Sequence, residues 1–150
     1  MTILRNLYPF NIPLADLINI YCLYIRSVAE YCSVVWSSSI TEGESIELER
    51  IQKVALRIIL KEDYVTYTNA LRVTNLETLK DRRRLLLKRI ALKCTKNPKT
   101  QDMLPTRQNI KNLRNTGKFQ VTRAKTDRLA YSAIPTMQRV LNMEVKKTYQ

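Results

Sequence analysis

The residues that could carry out catalysis in this sequence are restricted in kind. None of its 150 residues is histidine, which excludes Ser-His-Asp triads, Cys-His pairs, histidine general bases and the common histidine-containing zinc sites. The two glycines, Gly43 and Gly117, stand far apart in the chain. Neither of the glycine-rich phosphate-binding loops can therefore form.

Carboxylates and thiols are the remaining candidates for metal or acid–base chemistry. The 13 acidic residues form no DxD or YxDD pattern, and the adjacent Glu62 and Asp63 fall at a predicted helix end, where solvated carboxylates are common. Cys22, Cys32 and Cys94 form no CxxC motif, and the first two fall in an apolar helical segment, where we expect them to pack as small hydrophobic residues. We expect no catalytic residue, no metal site and no cofactor, so the chain alone is not expected to be an enzyme.

Positive charge is the strongest chemical signal in the sequence. The formal net charge is +13, and residues 81–150 hold eighteen of the basic residues and four of the acidic ones. Solubility alone needs a net charge of only about 2 to 8. Such an excess favours a polyanionic partner, either nucleic acid or an anionic membrane surface.

The densest basic group lies on a predicted helix. We expect five of its side chains to face away from the apolar side and to contact nucleic acid phosphates: Arg82, Arg84, Lys88, Arg89 and Lys93. The alternative is an ordinary solvated helix face. Arg83 falls inside the apolar arc, so we expect it to be a buried, structural arginine. Four tyrosines are candidates for base stacking, with core packing or chance exposure as the alternative: Tyr64, Tyr67, Tyr131 and Tyr149.

Residues 14–36 form the most apolar stretch of the chain. On an ideal helix one face would carry Leu14, Leu17, Ile18, Tyr21, Tyr24, Ile25, Val28, Cys32 and Val35. The length could span a bilayer, but a central Arg26 and Glu30 would be costly in lipid. We therefore predict a largely buried helix of a protein core and no membrane partner.

Two capping-box patterns predict where later helices begin. Thr41 and Glu44 predict a helix that runs to about Leu60, with an apolar face of Leu48, Ile51, Ala55, Ile58 and Ile59 and with Glu49 facing water. Thr74 and Glu77 predict another from about Asn75 to Cys94. A shorter helix is predicted over 66–73.

The predicted fold is all-α, a small bundle of about four helices followed by a basic, loosely structured tail with a short terminal helix. Its expected parts are a helical core in residues 1–94, a basic loop in 95–125 and a terminal segment in 126–150. The shortage of glycine disfavours an all-β fold, because strand turns need glycine.

An ordered series of short motifs extends through nearly the whole chain. It comprises Ile25-Arg26-Ser27, Glu30-Tyr31, Val35-Trp36, Leu48-Glu49-Arg50-Ile51-Gln52-Lys53, Tyr64 with Tyr67, Ala70-Leu71, Leu76 with Leu79, Arg82-Arg83, Thr126-Asp127-Arg128-Leu129, Ser132-Ala133-Ile134-Pro135, Gln138-Arg139 and Leu141-Asn142. In this order the motifs resemble the C-terminal end of LINE-like, jockey-type non-LTR retrotransposon reverse transcriptases.

The resemblance implies a helical region beyond the polymerase palm, which in such enzymes helps to hold template, primer or element RNA. The palm of that family carries paired aspartates that hold two metal ions, and this sequence lacks them, so no catalytic residue carries over. We expect a non-catalytic C-terminal fragment of an RNA-directed DNA polymerase.

The expected partners are nucleic acid, whether RNA, DNA or their hybrid, and an upstream polymerase domain if one is encoded. Two alternatives stay open: a protein-interaction module that docks on the palm or thumb, and a nonfunctional mobile-element remnant. No secretory signal is recognisable, which favours an intracellular location, nuclear or cytoplasmic. The sequence does not specify an oligomeric state.

Overall fold

The structure, a computed structural model, describes residues 1–106 and 118–148, and these are mostly helical. The α-helices are α1 (Thr2–Asn6), α2 (Leu14–Ile20), α3 (Ser27–Glu30), α4 (Ser33–Trp36), α5 (Glu42–Leu60), α6 (Tyr67–Thr74), α7 (Leu79–Lys96), α8 (Asp127–Ala130) and α9 (Ala133–Thr148). A π-helical segment, Tyr21–Arg26, and three short 3₁₀ turns, Tyr8–Phe10, Lys61–Asp63 and Gln101–Met103, complete the helical elements. The described residues contain no β-strand, although one isolated antiparallel bridge joins Thr106 to Phe119. The all-α prediction is confirmed.

The chain divides into two compact units. The first, here the neutral unit, comprises residues 1–31 and 41–82, and the second, here the basic unit, comprises residues 32–40 and 83–150. The neutral unit carries nine lysine and arginine residues against ten acidic ones, whereas the basic unit carries 17 against three, a net charge of +14. The boundary falls at Arg82 and Arg83, inside the predicted core of residues 1–94.

Part of the predicted loop 95–125 lies outside the described residues, namely 107–117. Of its flanks, α7 extends to Lys96, two residues beyond the predicted end. On the other side, the Phe119 main chain is held by the Asn142 side chain, whose Oδ1 accepts from Phe119 N at 2.9 Å and whose Nδ2 donates to Phe119 O at 3.0 Å. The predicted looseness of this segment stays a prediction.

Helix α5 begins where the sequence predicts. Thr41 Oγ1 accepts a hydrogen bond from Glu44 N at 3.2 Å, and Glu44 Oε2 accepts one from Thr41 N at 2.7 Å. These bonds lower the pKa of Glu44. The buried face of α5 differs from the predicted one, since Ile51 is 36% exposed while the polar Gln52 is fully buried. The apolar pattern of the sequence does not predict this buried face, because Gln52 is polar and can be buried only where its side chain is hydrogen-bonded.

The single buried helix predicted over residues 14–36 is wrong. A π-helical turn pairs residues five apart and advances each residue by a smaller angle than an α-turn, so it rotates the later side chains off the predicted face. The helix then breaks at Cys32, whose φ is 49°. Several side chains predicted to be buried are exposed: Leu14, which precedes the π-helical segment, and Tyr24, Val28, Cys32 and Val35, which lie within or after it. No helix in the described part of the chain is long and apolar enough to cross a membrane.

Each unit has its own apolar core. In the neutral unit the buried residues are Leu4, Tyr21, Ala55, Leu56, Ile59, Leu60 and Ala70. In the basic unit they are Leu87, Ala91, Leu104, Phe119, Met137 and Leu141. Helix α9 supplies two of the second set and spans 16 residues, so the short terminal helix predicted there is wrong in length. Its first turn contains Pro135, as predicted, because proline is tolerated where the N–H needs no helical acceptor.

The capping box predicted at Thr74 and Glu77 is also wrong. Thr74 is the last residue of α6, where its hydroxyl donates to Ala70 O at 2.7 Å, and Asn75 then ends α6 in a left-handed conformation. The residue that caps α7 is Thr78, whose Oγ1 accepts from Asp81 N at 3.0 Å. Helix α7 therefore starts at Leu79, four residues later than predicted.

Candidate nucleic-acid interface

Helix α7 carries the predicted phosphate-binding residues. Its buried side chains recur every four residues, at Leu79, Arg83, Leu87 and Ala91. A row at this spacing runs along one side of an α-helix, so the positions on the opposite side face outward. The geometry of α7 thus separates one buried row from a broad exposed surface.

Three of the predicted basic residues lie on that surface. Arg84, Arg89 and Lys93 are exposed, and none has an ion-pair partner among residues 1–106 and 118–148. Lys88 is half-buried. At 100° per residue, Arg84 and Lys88 form one row, while Arg89 and Lys93 form another. The exposed Leu85 and Leu92 lie between the two rows.

The sequence prediction missed Lys96, because it ended the helix at Cys94. Lys96 is exposed and extends the second row, so the basic surface covers Arg84 to Lys96, about 18 Å of helix axis. Lys93 and Lys96 also lie in the last turn, where the helix dipole favours cations. Arg84 and Arg89 lie before that turn, so replacing them should change ligand binding with the least effect on helix stability.

Arg82 does not belong to this free surface. Its Nε lies 2.5 Å from Glu30 Oε1 within the neutral unit, and the Arg26 Nε is 4.0 Å from the other carboxylate oxygen of Glu30. The contact with Glu30 raises the pKa of Arg82, against the opposing effect of burial. Arg82, expected with the other four to contact phosphates, is therefore not a free cation, because the half-buried Glu30 carboxylate holds its guanidinium.

Arg83 is buried, with 4% of its surface exposed. Its guanidinium lies 5.9 Å from the centre of the Trp36 ring, within cation–π range. Both residues belong to the basic unit. The position agrees with the burial expected from the helical phase, and its role in stability stays a prediction.

The candidate stacking tyrosines differ in their surroundings. Tyr67 is half-buried, and its hydroxyl donates to Glu49 Oε1 and accepts from Gln52 Nε2 at 3.0 Å. Tyr64 is half-buried beside the Arg57 guanidinium, 5.3 Å from the ring centre. Tyr131 is 55% exposed. Tyr149 lies outside the described residues.

A buried polar network fixes the start of α7 in the neutral unit. Gln52 Oε1 accepts from the Tyr21 hydroxyl at 2.7 Å, while Gln52 Nε2 donates to Glu77 O at 2.9 Å. Glu49 accepts from the amides of Leu79 and Lys80 at 3.2 and 3.3 Å. Glu49, predicted to face water, instead caps the N-terminus of α7, where the helix dipole favours a carboxylate.

Both tyrosines of the network have a raised pKa. Burial raises the pKa of Tyr21, and burial together with the Glu49 carboxylate raises that of Tyr67. A signal for the network was present in the sequence. Glu49 and Gln52 stand three residues apart, so they share one face of α5.

The described residues hold no cluster of three or more cysteine or acidic side chains that could bind a metal ion. Cys22, Cys32 and Cys94 are free thiols. Burial raises the pKa of Cys22, consistent with packing as a small hydrophobic residue. Cys32 does not pack in this way, because it is exposed at the break before α4.

Comparison with protein-family models, with curated protein sequences and with solved structures found no match to this chain.

Proposed function

We propose that this chain is a non-catalytic, C-terminal part of a LINE-like non-LTR retrotransposon reverse transcriptase, and that its basic unit binds nucleic acid through phosphate contacts. One observation carries the second part. Three exposed cations, Arg84, Arg89 and Lys93, stand without an ion-pair partner among the described residues, in a unit of net charge +14.

Electrostatics supports this assignment. Uncompensated charge of one sign destabilises a compact unit through self-repulsion, and a bound polyanion relieves that repulsion. Each phosphate contact also releases condensed counterions, so affinity for nucleic acid falls steeply as salt increases. Phosphate contacts carry no base information, so this surface alone predicts no preference among RNA, DNA and hybrid.

The family part of the proposal rests on the ordered motifs of the sequence. In that setting, the upstream polymerase domain supplies the metal-binding aspartates, and this chain contributes binding. Purified protein is therefore expected to incorporate no nucleotide on a primed template with Mg²⁺ or Mn²⁺. Template-dependent incorporation that persists across independent preparations would contradict the non-catalytic assignment.

A protein-docking role is the second candidate, and one observation favours it. Four large side chains of the neutral unit between residues 23 and 31 are at least 63% exposed: Leu23, Tyr24, Val28 and Tyr31. Apolar side chains this exposed and this close in the sequence are typical of interaction sites. Its partner under this proposal is the polymerase domain, and such docking should weaken little with added salt.

Binding titrations at several salt concentrations test the proposal. The key variant is Arg84→Ala/Arg89→Ala, and the matched control is Arg5→Ala/Arg72→Ala, which removes two exposed cations from the neutral unit. We expect the key variant to reduce the salt slope for duplex DNA by about two, one for each lost contact, while the control leaves it unchanged.

Two results would contradict the proposal. One is equal loss of affinity in both double variants, which would indicate that net charge alone matters. The other is wild-type affinity that does not change between low and physiological salt, which would favour apolar docking instead.

A further inference from the structure

Tyr131 is an exposed aromatic residue on a rigid support. Its residue surface is 55% exposed, and the Arg139 guanidinium lies 5.7 Å from its ring centre. Arg139 Nη2 also donates to Ala130 O at 2.5 Å, which fixes the guanidinium beside the ring. The ring is thus held in place while much of it faces solvent.

The Tyr131 main chain is fixed as well. Its N–H donates to Asp127 O at 2.9 Å, and its carbonyl accepts from Ser39 Oγ at 3.1 Å. A side chain with two rotatable bonds on such a backbone loses little entropy when a flat ligand stacks on it. Tyr131 therefore meets the main physical requirement of a stacking platform.

Exposed cations lie along the chain that leads to this ring. The main chain of residues 119–122 runs antiparallel to α9, because Phe119 is bonded to Asn142 and Thr122 N donates to Gln138 Oε1 at 2.8 Å. The chain then continues through residues 123–130 to Tyr131, two residues before α9 begins. Three exposed basic residues lie on this path: Arg123, Lys125 and Arg128. Between residues 118 and 143 the sequence holds one acidic residue, Asp127.

We propose that Tyr131, with Arg123, Lys125 and Arg128, forms a binding site for single-stranded nucleic acid. An unpaired base stacks on the exposed ring while the neighbouring phosphates contact the three cations. Because the bases of a duplex are already stacked on one another, they cannot occupy the ring without unpairing. This site rests on the proposed function and adds to it a preference for single strands, which the α7 surface does not provide.

An acidic peptide could satisfy the cations equally well. It has no flat aromatic group that requires an exposed ring beside a fixed guanidinium, so the pairing of Tyr131 with Arg139 favours a nucleobase. Polyglutamate of matched charge therefore serves as the probe that separates simple charge attraction from base stacking.

The test measures binding of the full chain to fluorescent oligonucleotides of about 12 residues, a length that suits such sites. The probes are oligouridine, oligodeoxythymidine, a mixed-sequence duplex of equal length and polyglutamate. The variants are Tyr131→Leu, which removes the ring, and Tyr131→Phe, which retains it as the matched control. Arg84→Ala/Arg89→Ala reports on α7 in the same assay.

We expect Tyr131→Leu to weaken binding of both single strands about tenfold, and Tyr131→Phe to stay within about twofold of the wild type. Binding of the duplex and of polyglutamate should be unchanged in both variants. The salt slope of Tyr131→Leu should equal that of the wild type because no cation is lost, whereas Arg128→Ala should reduce it by about 0.7 for single strands. A difference between oligouridine and oligodeoxythymidine would identify the preferred sugar.

Photocrosslinking of the unaltered protein to oligonucleotides carrying 5-iodouracil gives a second readout that does not depend on variant folding. The crosslink is expected on the peptide that contains Tyr131. Crosslinks confined to peptides outside residues 119–139 would overturn the site.

The two proposals can fail separately. Loss of affinity in the α7 variant with no effect of Tyr131→Leu on any probe would overturn the stacking site and leave the proposed function intact. Absence of salt-sensitive binding to every oligonucleotide would overturn both.

Discussion

The neutral and basic units differ in how many of their basic residues are paired with carboxylates. In the neutral unit, several cations are paired within the fold: Lys80 Nζ lies 2.7 Å from Glu42 Oε1, and Arg26 and Arg82 both face Glu30. In the basic unit, Arg84, Arg89 and Lys93 have no such partner among the described residues. Neighbouring positions on a single helix, Arg82 and Arg84, illustrate the contrast.

The contrast indicates which charges serve the fold and which are available to a ligand. A paired, half-buried cation is already desolvated and compensated, so removing it affects stability. An exposed, uncompensated cation adds little to stability, so removing it affects binding. A carboxylate beside a basic residue indicates that the residue serves the fold. Pairing with carboxylates is therefore a better guide to function than the local density of basic residues.

The largest expected effect is the loss of stability on replacing Gln52, and it should exceed the loss on replacing Gln138, the buried glutamine of the other unit. Gln52→Leu should destabilise the neutral unit by about 3 kcal/mol, because it leaves the Tyr21 hydroxyl and Glu77 carbonyl without their bonds. Gln138→Leu in the basic unit should cost about 1 kcal/mol, since Gln138 Nε2 has no hydrogen-bond partner among the described residues and Thr122 is exposed to water. Urea unfolding with amide hydrogen exchange resolved by unit measures both, and equal costs would remove this distinction.

Arg83 should behave as a structural residue of the basic unit. Because it is 4% exposed against Trp36, Arg83→Ala is expected to cost about 2 kcal/mol, whereas the adjacent Arg84→Ala should cost less than about 0.5 kcal/mol. Thermal melts of the two variants give the comparison directly. Equal, negligible shifts would show that burial of Arg83 contributes nothing to stability.

Alkaline pH should weaken the neutral unit through Tyr21. Burial raises the pKa of its phenol above the ordinary value of 10.0, so the fold favours the protonated form. The corresponding stability is present in full below pH 10 and is lost as pH rises above it, by about 1.4 kcal/mol per pH unit. Unfolding at pH 9 to 11 measures the slope, and Tyr21→Phe should make it shallower. An unchanged slope in that variant would rule out Tyr21 as its source.

Replacing Arg82 should have a smaller effect, and this effect should be on stability rather than on nucleic acid binding. Its pairing with Glu30 predicts a cost of about 1 kcal/mol for Arg82→Ala and a positive coupling with Glu30→Gln in a double-mutant cycle. The salt slope of nucleic acid binding should not change in Arg82→Ala. A reduced salt slope with no loss of stability would indicate that Arg82 belongs to the binding surface.

The sequence predicts those elements whose signals are local. The Thr41 box fixes the start of α5, and the helical phase places Arg83 among apolar residues. It misplaces elements that tertiary contacts determine: Thr74 uses its hydroxyl inside α6, so the start of α7 passes to Thr78. A π-helical turn leaves no signature in the apolar pattern, so that pattern predicts the wrong side for Tyr24 and Val28.

The candidate site shows the same limit. Exposure of Arg84, Arg89 and Lys93 follows from their phase on α7, which the sequence contains. The ion pair between Arg82 and Glu30 joins residues 52 positions apart in the sequence, and no local pattern predicts such a pair. Exposure of Tyr131 beside Arg139 likewise depends on how the chain before α9 is held.

Lysine footprinting tests most directly whether the basic unit is the nucleic acid-binding part. The full chain is acetylated briefly at low salt, with and without saturating oligonucleotide, and modified peptides are quantified by mass spectrometry. Lys93 and Lys96 in the basic unit are expected to be protected several-fold, while Lys61 and Lys80 in the neutral unit keep their rates. Equal protection of both pairs, or protection confined to Lys61 and Lys80, would contradict the assignment of binding to the basic unit.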